Sequence, residues 1–109
     1  MGVTVIKVGF MYPNSDGSTF DMAYYLATHI PLVLNRLGSA VKGVGVEEGV
    51  AGTSAPYSAI GYLLFESVEA FETSFGRHAD EIKGDIKNYT NTMPTVQMSE
   101  LKNTPAVAT

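Results

Sequence analysis

The sequence predicts an α+β fold in which one antiparallel sheet carries two helices on one face. Three observations predict it. Four runs rich in β-branched and aromatic residues are bounded by glycine, proline or small polar clusters. Two longer stretches between them place apolar residues at helical spacing. The order along the 109 residues is β–α–β–β–α–β, and each helix must bury its stripe against the sheet. The ferredoxin-like arrangement, with a four-stranded sheet, is the expected fold. Length allows one domain, residues 1–103, with residues 104–109 as a flexible tail.

Each element has its own warrant. Val3 to Tyr12, "VTVIKVGFMY", reads as a strand and ends at Pro13, before the turn set "PNSDGS". Ser18 or Thr19 caps the first helix, with Asp21 in its first turn where negative charge suits the dipole. That helix runs to the neighbourhood of His29 and there ends, or continues kinked to Leu37 before Gly38. Ala40 to Glu48 is a glycine-containing strand, and Tyr57 to Glu66, "YSAIGYLLFE", is a stronger one. Ser67 caps the second helix, whose stripe is Phe71, Phe75, His78, Ile82 and Ile86. Gly76 and Gly84 allow a break within it. Met93 to Lys102 supplies the last strand, beginning at or beside Pro94.

Composition excludes several classes of function. Seven Lys plus Arg and a net charge of −4 give no basic footprint for nucleic acid. No apolar run approaches the ~20 residues of a membrane span. With no cysteine, thiolate chemistry, disulfides and cysteine-bound metal are excluded. Met1 to Val5 lacks a signal-peptide layout, and a cytoplasmic location is expected.

Both faces of the two central strands are apolar. Ile6, Val8, Phe10 and Tyr12 form one face of the first, while Val3, Val5, Gly9 and Met11 dominate the other around Lys7. In the third strand Ala59, Gly61, Leu63 and Phe65 oppose Ile60, Tyr62 and Leu64. Two helices cover one face only, so a partner is expected on the other, most simply an identical chain. Two such sheets, curling together, would enclose a small-molecule chamber in which Gly43, Gly45 and Gly61 leave room for a ligand.

The candidate chemistry centres on "YYLATHIPLV". Pro31 displaces the carbonyl four residues back, that of Ala27, and biases Ile30 out of the helix. An ionisable ring, His29, stands beside this irregularity. On an unbroken wheel it lies opposite Phe20 and the Ala23–Tyr24–Ala27 stripe. The ordinary alternative is a half-exposed helix-terminal histidine. His78, on an apolar stripe, reads more readily as a core-edge residue. Neither histidine has metal-ligand spacing, and no nucleophile elbow or phosphate loop is present. Tyr25, four residues before His29, can meet it on one helical face. Tyr12, Tyr24 and Tyr62 are further hydroxyl donors. Lys7 and Arg36 are cations able to pair with a ligand carboxylate, although surface charge is their plainer role.

The string "FDMAYYLATHIPLV" resembles the EthD family, named for ethyl tert-butyl ether degradation: F-D, a tyrosine pair, then H-x-P-L. "HADEIKGDIKNYTNTMPTVQMSE" is similar to the second half of the same family, with D-I-x-N-Y-T before P-x-x-Q-x-S-E. The resemblance covers about residues 3–102. It implies a dimeric α+β barrel of ferredoxin-like subunits. It also implies His29 as acid–base catalyst with Tyr25 or Tyr24 as hydrogen-bonding neighbour, and no cofactor or metal. Tyr12, Tyr62 and His78 join Tyr24 as substrate-binding candidates. Relatives of this kind include isomerases, lyases and cofactor-free monooxygenases. A small-molecule enzyme, oxidoreductase-like or isomerase/lyase, acting on a largely apolar cyclic or aromatic ligand is therefore expected. The alternative is a non-catalytic binding or accessory barrel.

Overall fold

The computed structural model describes residues 4–103. Val3 and the tail of residues 104–109 lie outside them. The sheet consists of β1 (Ile6–Pro13), β2 (Gly43–Glu48), β3 (Tyr57–Phe65) and β4 (Thr95–Glu100), in the order β2-β3-β1-β4. Every pairing is antiparallel. The register sets Val8 opposite Leu63 and Met98, and Phe10 opposite Gly61 and Val96. One face of β1 and β3 is thereby buried, with Val8 and Phe65 fully excluded from solvent. Each such side chain contributes about 1.5–3 kcal/mol.

The first helix does not end at His29. It comprises α1 (Met22–Tyr24), a π-helical turn (Tyr25–His29) and α2 (Ile30–Leu37) without a break. Within the wide turn the Ile30 N–H donates to the Tyr25 carbonyl. Pro31 follows directly, with no N–H to offer the Ala27 carbonyl and a ring that crowds it. The extra residue of a π turn resolves that conflict. It also resets the wheel: the buried positions are Tyr25, His29, Val33 and Leu37, whereas Ala23 and Ala27 are exposed. The expectation that His29 lies opposite the apolar stripe is corrected, since His29 is part of it. Gly38, at φ 61°, ends α2 in a conformation that favours glycine.

Asp21, not Ser18 or Thr19, caps this helix, its Oδ1 accepting the Tyr24 N–H at 3.0 Å. Ser67 caps α3 (Val68–Gly76) as expected, accepting from Ala70 N–H. The second helical stretch does break at Gly76, resuming as α4 (Ala79–Gly84) and a short 3₁₀ turn, Ile86–Asn88. Most strands are shorter than the sequence suggested; Ala40, for instance, closes a 3₁₀ turn, Gly38–Ala40, and β2 starts only at Gly43. Met11, Ile60, Tyr62 and Leu64 are only half-buried on the face away from the helices.

Candidate functional site

A cavity of about 520 Å³ lies between the sheet and the helices of a single chain. Phe10 and Leu63 form part of its floor, while Val33, Phe71, Phe75 and Ile82 wall it. It forms without a second sheet. The three glycines do not leave the expected room for a ligand. A Cβ on Gly61 would collide with the Tyr25 hydroxyl, and one on Gly45 with the Tyr62 ring; Gly43 accommodates Leu64. The room they leave is filled by the chain's own side chains.

His29 and three tyrosines, Tyr12, Tyr25 and Tyr89, border one end of the cavity. The π turn brings the His29 ring parallel to Tyr25, with centroids 5.4 Å apart and planes 16° from parallel. Tyr25 therefore stacks on His29 rather than hydrogen-bonding to it. On the other side the Tyr89 ring lies 4.6 Å away. Held between them, His29 is only 4% exposed.

Its polar partners come from the second half of the chain. Nδ1 of His29 lies 2.8 Å from Oδ2 of Asp85. The Asp85 carboxylate also accepts from the Tyr24 hydroxyl at 2.6 Å and from Asn88 Nδ2 at 2.9 Å. The far side of the imidazole, Nε2, is 3.4 Å from the Tyr89 hydroxyl, which in turn meets the Tyr12 hydroxyl at 2.7 Å. Main-chain bonds fix this junction. Asp21 N–H donates to the Tyr89 carbonyl at 2.7 Å, and Thr90 Oγ1 donates to the Thr19 carbonyl at 2.6 Å.

Electrostatics define protonation. Burial opposes ionisation of Asp85, but hydrogen bonds from Tyr24, Asn88 and His29 outweigh it and hold the carboxyl below its usual range. Burial lowers the His29 pKa, and the Asp85 carboxylate only partly restores it. At neutral pH the ring is uncharged. Since a carboxylate can only accept, Nδ1 carries the proton and Nε2 keeps its lone pair. Burial above all raises the phenols of Tyr12, Tyr25 and Tyr89, so all three remain protonated donors. The arrangement is an oriented neutral base beside several hydroxyls.

The remaining sequence candidates are placed differently. Tyr24 supports Asp85 instead of bordering the cavity. Tyr62 is among the cavity-lining residues, while alternation sends its ring to the opposite face, where Lys7 Nζ sits 4.5 Å from its centroid. His78 precedes α4 and is not among the cavity-lining residues. Arg36 forms a two-pronged pair with Glu81, at 2.8 and 3.0 Å, and is not free for a ligand. Sequence reasoning assigned no role to Asp85 or Tyr89. Both stand in the quoted "GDIKNYT", whose aspartate–tyrosine spacing was the available signal. Among the described residues no cluster of His, Asp and Glu could hold a metal ion.

No protein-family model matches the chain. Among solved structures, an EthD-like protein from Ralstonia eutropha is 38% identical, over 96% of this chain and 98% of its own, with a TM-score of 0.88. The chain belongs to the EthD family. An EthD family protein from Bacillus halodurans shares the fold at 12% identity, covering 89% and 98% of the two chains with a TM-score of 0.67. SnoaB of Streptomyces nogalater, a cofactor-independent oxygenase, shares it at 9% identity, 97% and 98% coverage and a TM-score of 0.53. A curated relative, botulinum-like toxin Wo of Weissella oryzae, is 28% identical over 72% of this chain. This chain spans about 6% of that protein's length. No helix among the described residues is long and apolar enough to cross a membrane.

Proposed function

We propose that this EthD family member is a small-molecule enzyme in which His29 acts as general base, without an organic cofactor or metal. The observation that carries the reading is the 2.8 Å Asp85–His29 contact, which leaves Nε2 as the lone-pair nitrogen of a ring that borders the cavity. The aspartate fixes the tautomer, as the carboxylate does in a hydrolytic triad. Proton removal beside a carbonyl or from a phenol yields an enolate or phenolate. Such an anion isomerises, eliminates water or reacts with oxygen, and the tyrosine hydroxyls stabilise its developing charge. The apolar walls favour a cyclic or aromatic ligand. Monooxygenase-like and isomerase or lyase outcomes share this first step, and the oxygenase fold neighbour supports the former by fold alone. The working unit is a homodimer joined through the sheet face that carries Tyr62 and Leu64.

His29→Gln tests the reading. Gln keeps polarity and approximate size but offers no base, so folding is retained while turnover falls by ~10²-fold or more. A variant that binds and turns over ligand as the wild type does rejects His29. Ligand binding without turnover in the wild type favours an accessory, non-catalytic barrel.

A further inference from the structure

The hydroxyls beside His29 have an order that follows from a count of their protons. Asp85 accepts from Nδ1–H, so Nε2 is an acceptor. The Tyr89 hydroxyl facing Nε2 must therefore be the donor in that contact. A phenol has one proton. With it committed to Nε2, the Tyr89 oxygen accepts from Tyr12, 2.7 Å away. Tyr12 in turn has committed its only proton to Tyr89, so its own oxygen accepts: one lone pair faces the Tyr25 hydroxyl, and the second is left for a ligand in the cavity that Tyr12 borders. Tyr12 and Tyr89 both border the cavity and are otherwise buried, at 2% and 3% exposed.

We propose that Tyr12 and Tyr89 relay a proton from an acidic hydroxyl of the ligand, a phenol or an enol, to His29, and that Tyr12 is the residue the ligand oxygen touches. This deepens the general-base reading and rests on it. The step balances. The ligand O–H bond breaks as its proton joins the Tyr12 oxygen. The Tyr12 proton passes to the Tyr89 oxygen, and the Tyr89 proton passes to Nε2. Three O–H bonds break; two O–H bonds and one N–H bond form. The ligand becomes an oxyanion and His29 an imidazolium beside the Asp85 carboxylate.

The same transfer reverses every hydrogen bond in the chain. Afterwards Nε2–H donates to Tyr89, Tyr89 donates to Tyr12, and Tyr12 donates to the new oxyanion. Removing the proton and creating the oxyanion donor are thus one event, with no side chain having to move. A C–H acid makes no comparable hydrogen bond to Tyr12, which is why the ligand group is an acidic hydroxyl.

The test uses 4-nitrophenol, whose anion is distinguished by its visible absorbance. Bound-state spectra are recorded for the whole protein and for Tyr12→Phe, Tyr89→Phe and His29→Gln at matched pH. The relay predicts at least about tenfold more bound phenolate in the wild type than in any of the three variants. Wild-type phenolate retained in Tyr89→Phe but lost in His29→Gln overturns the relay and leaves His29 as a direct base. Phenolate retained in His29→Gln overturns the base reading itself. No enrichment in the wild type also overturns the relay. Because Phe removes a buried hydroxyl, 3-fluorotyrosine at position 89 supplies a second measurement without changing the packing. It must alter the pH at which bound probe ionises; an unaltered value rejects Tyr89 as a link.

Discussion

Asp85 and His29, 56 residues apart in sequence, meet at 2.8 Å between Oδ2 and Nδ1. The contact determines which imidazole nitrogen bears the proton. Asp85→Asn should undo this while sparing the fold, because an amide can donate to Nδ1 and so place the ring proton on Nε2. Nitrogen-15 spectra of the His29 ring should show the exchanged tautomer, and turnover should fall by ~10²–10⁴-fold. An unchanged tautomer would show that Asp85 is not its determinant.

Acid stability has a definite sign. The folded His29 pKa lies below the ordinary 6.5 because the ring is buried. Between the folded value and 6.5 the unfolded chain binds more protons, so stability falls as pH drops through that window. Asp85, also lowered when folded, contributes stability above its ordinary 3.8 that is lost as pH falls through its folded value. Urea unfolding across pH should show both phases. His29→Gln should flatten the upper one and weaken the lower, which Tyr24 and Asn88 still sustain.

Pro31→Ala probes the π turn. Alanine restores an N–H and removes the ring that crowds Ala27, so an ordinary helical turn becomes available. Overall helicity should persist while the His29 ring shifts away from its enclosed position. Its pKa, followed by NMR, should then rise toward 6.5, and a displacement of about 1 Å should cost ~10²-fold in turnover. A variant whose His29 titrates as in the wild type would show that Pro31 does not hold the turn.

At Gly61 the constraint is steric. Gly61→Ala places a methyl group where the Tyr25 hydroxyl sits, and should destabilise by about 1–3 kcal/mol through overpacking. Combining it with Tyr25→Phe removes the colliding atom. The double variant should recover much of that loss, a coupling that denaturant midpoints can measure.

The sheet face carrying Met11, Ile60, Tyr62 and Leu64 should be covered in solution. Light scattering at micromolar concentration should report a dimer, and Leu64→Lys should shift it toward monomer. A wild-type monomer under those conditions would remove the homodimer from the proposal.

What could be read from the sequence was what depends on near neighbours. Ser67 as a cap and Gly38 as a stop follow from backbone chemistry within one turn. Strand alternation placed Val8 and Leu63 on one face. The direction of His29 was beyond such reasoning because the π turn shifts the wheel between Tyr25 and Ile30. Asp85 was missed because its partner is distant in sequence, and an aspartate near a helix end reads locally as solvated. The glycines misled for a related reason: a missing side chain announces space, and only tertiary contacts say that Tyr25 or Tyr62 occupies it.

The bonds that join Asp21 to Tyr89 and Thr19 to Thr90 have a consequence for biosynthesis. A ribosome delivers His29 long before Asp85 and Tyr89. Until they follow, the histidine has no carboxylate to set its tautomer and no phenol beside Nε2. Reactivity therefore arrives with the last third of the chain, and a prematurely truncated product would carry the histidine without its chemistry.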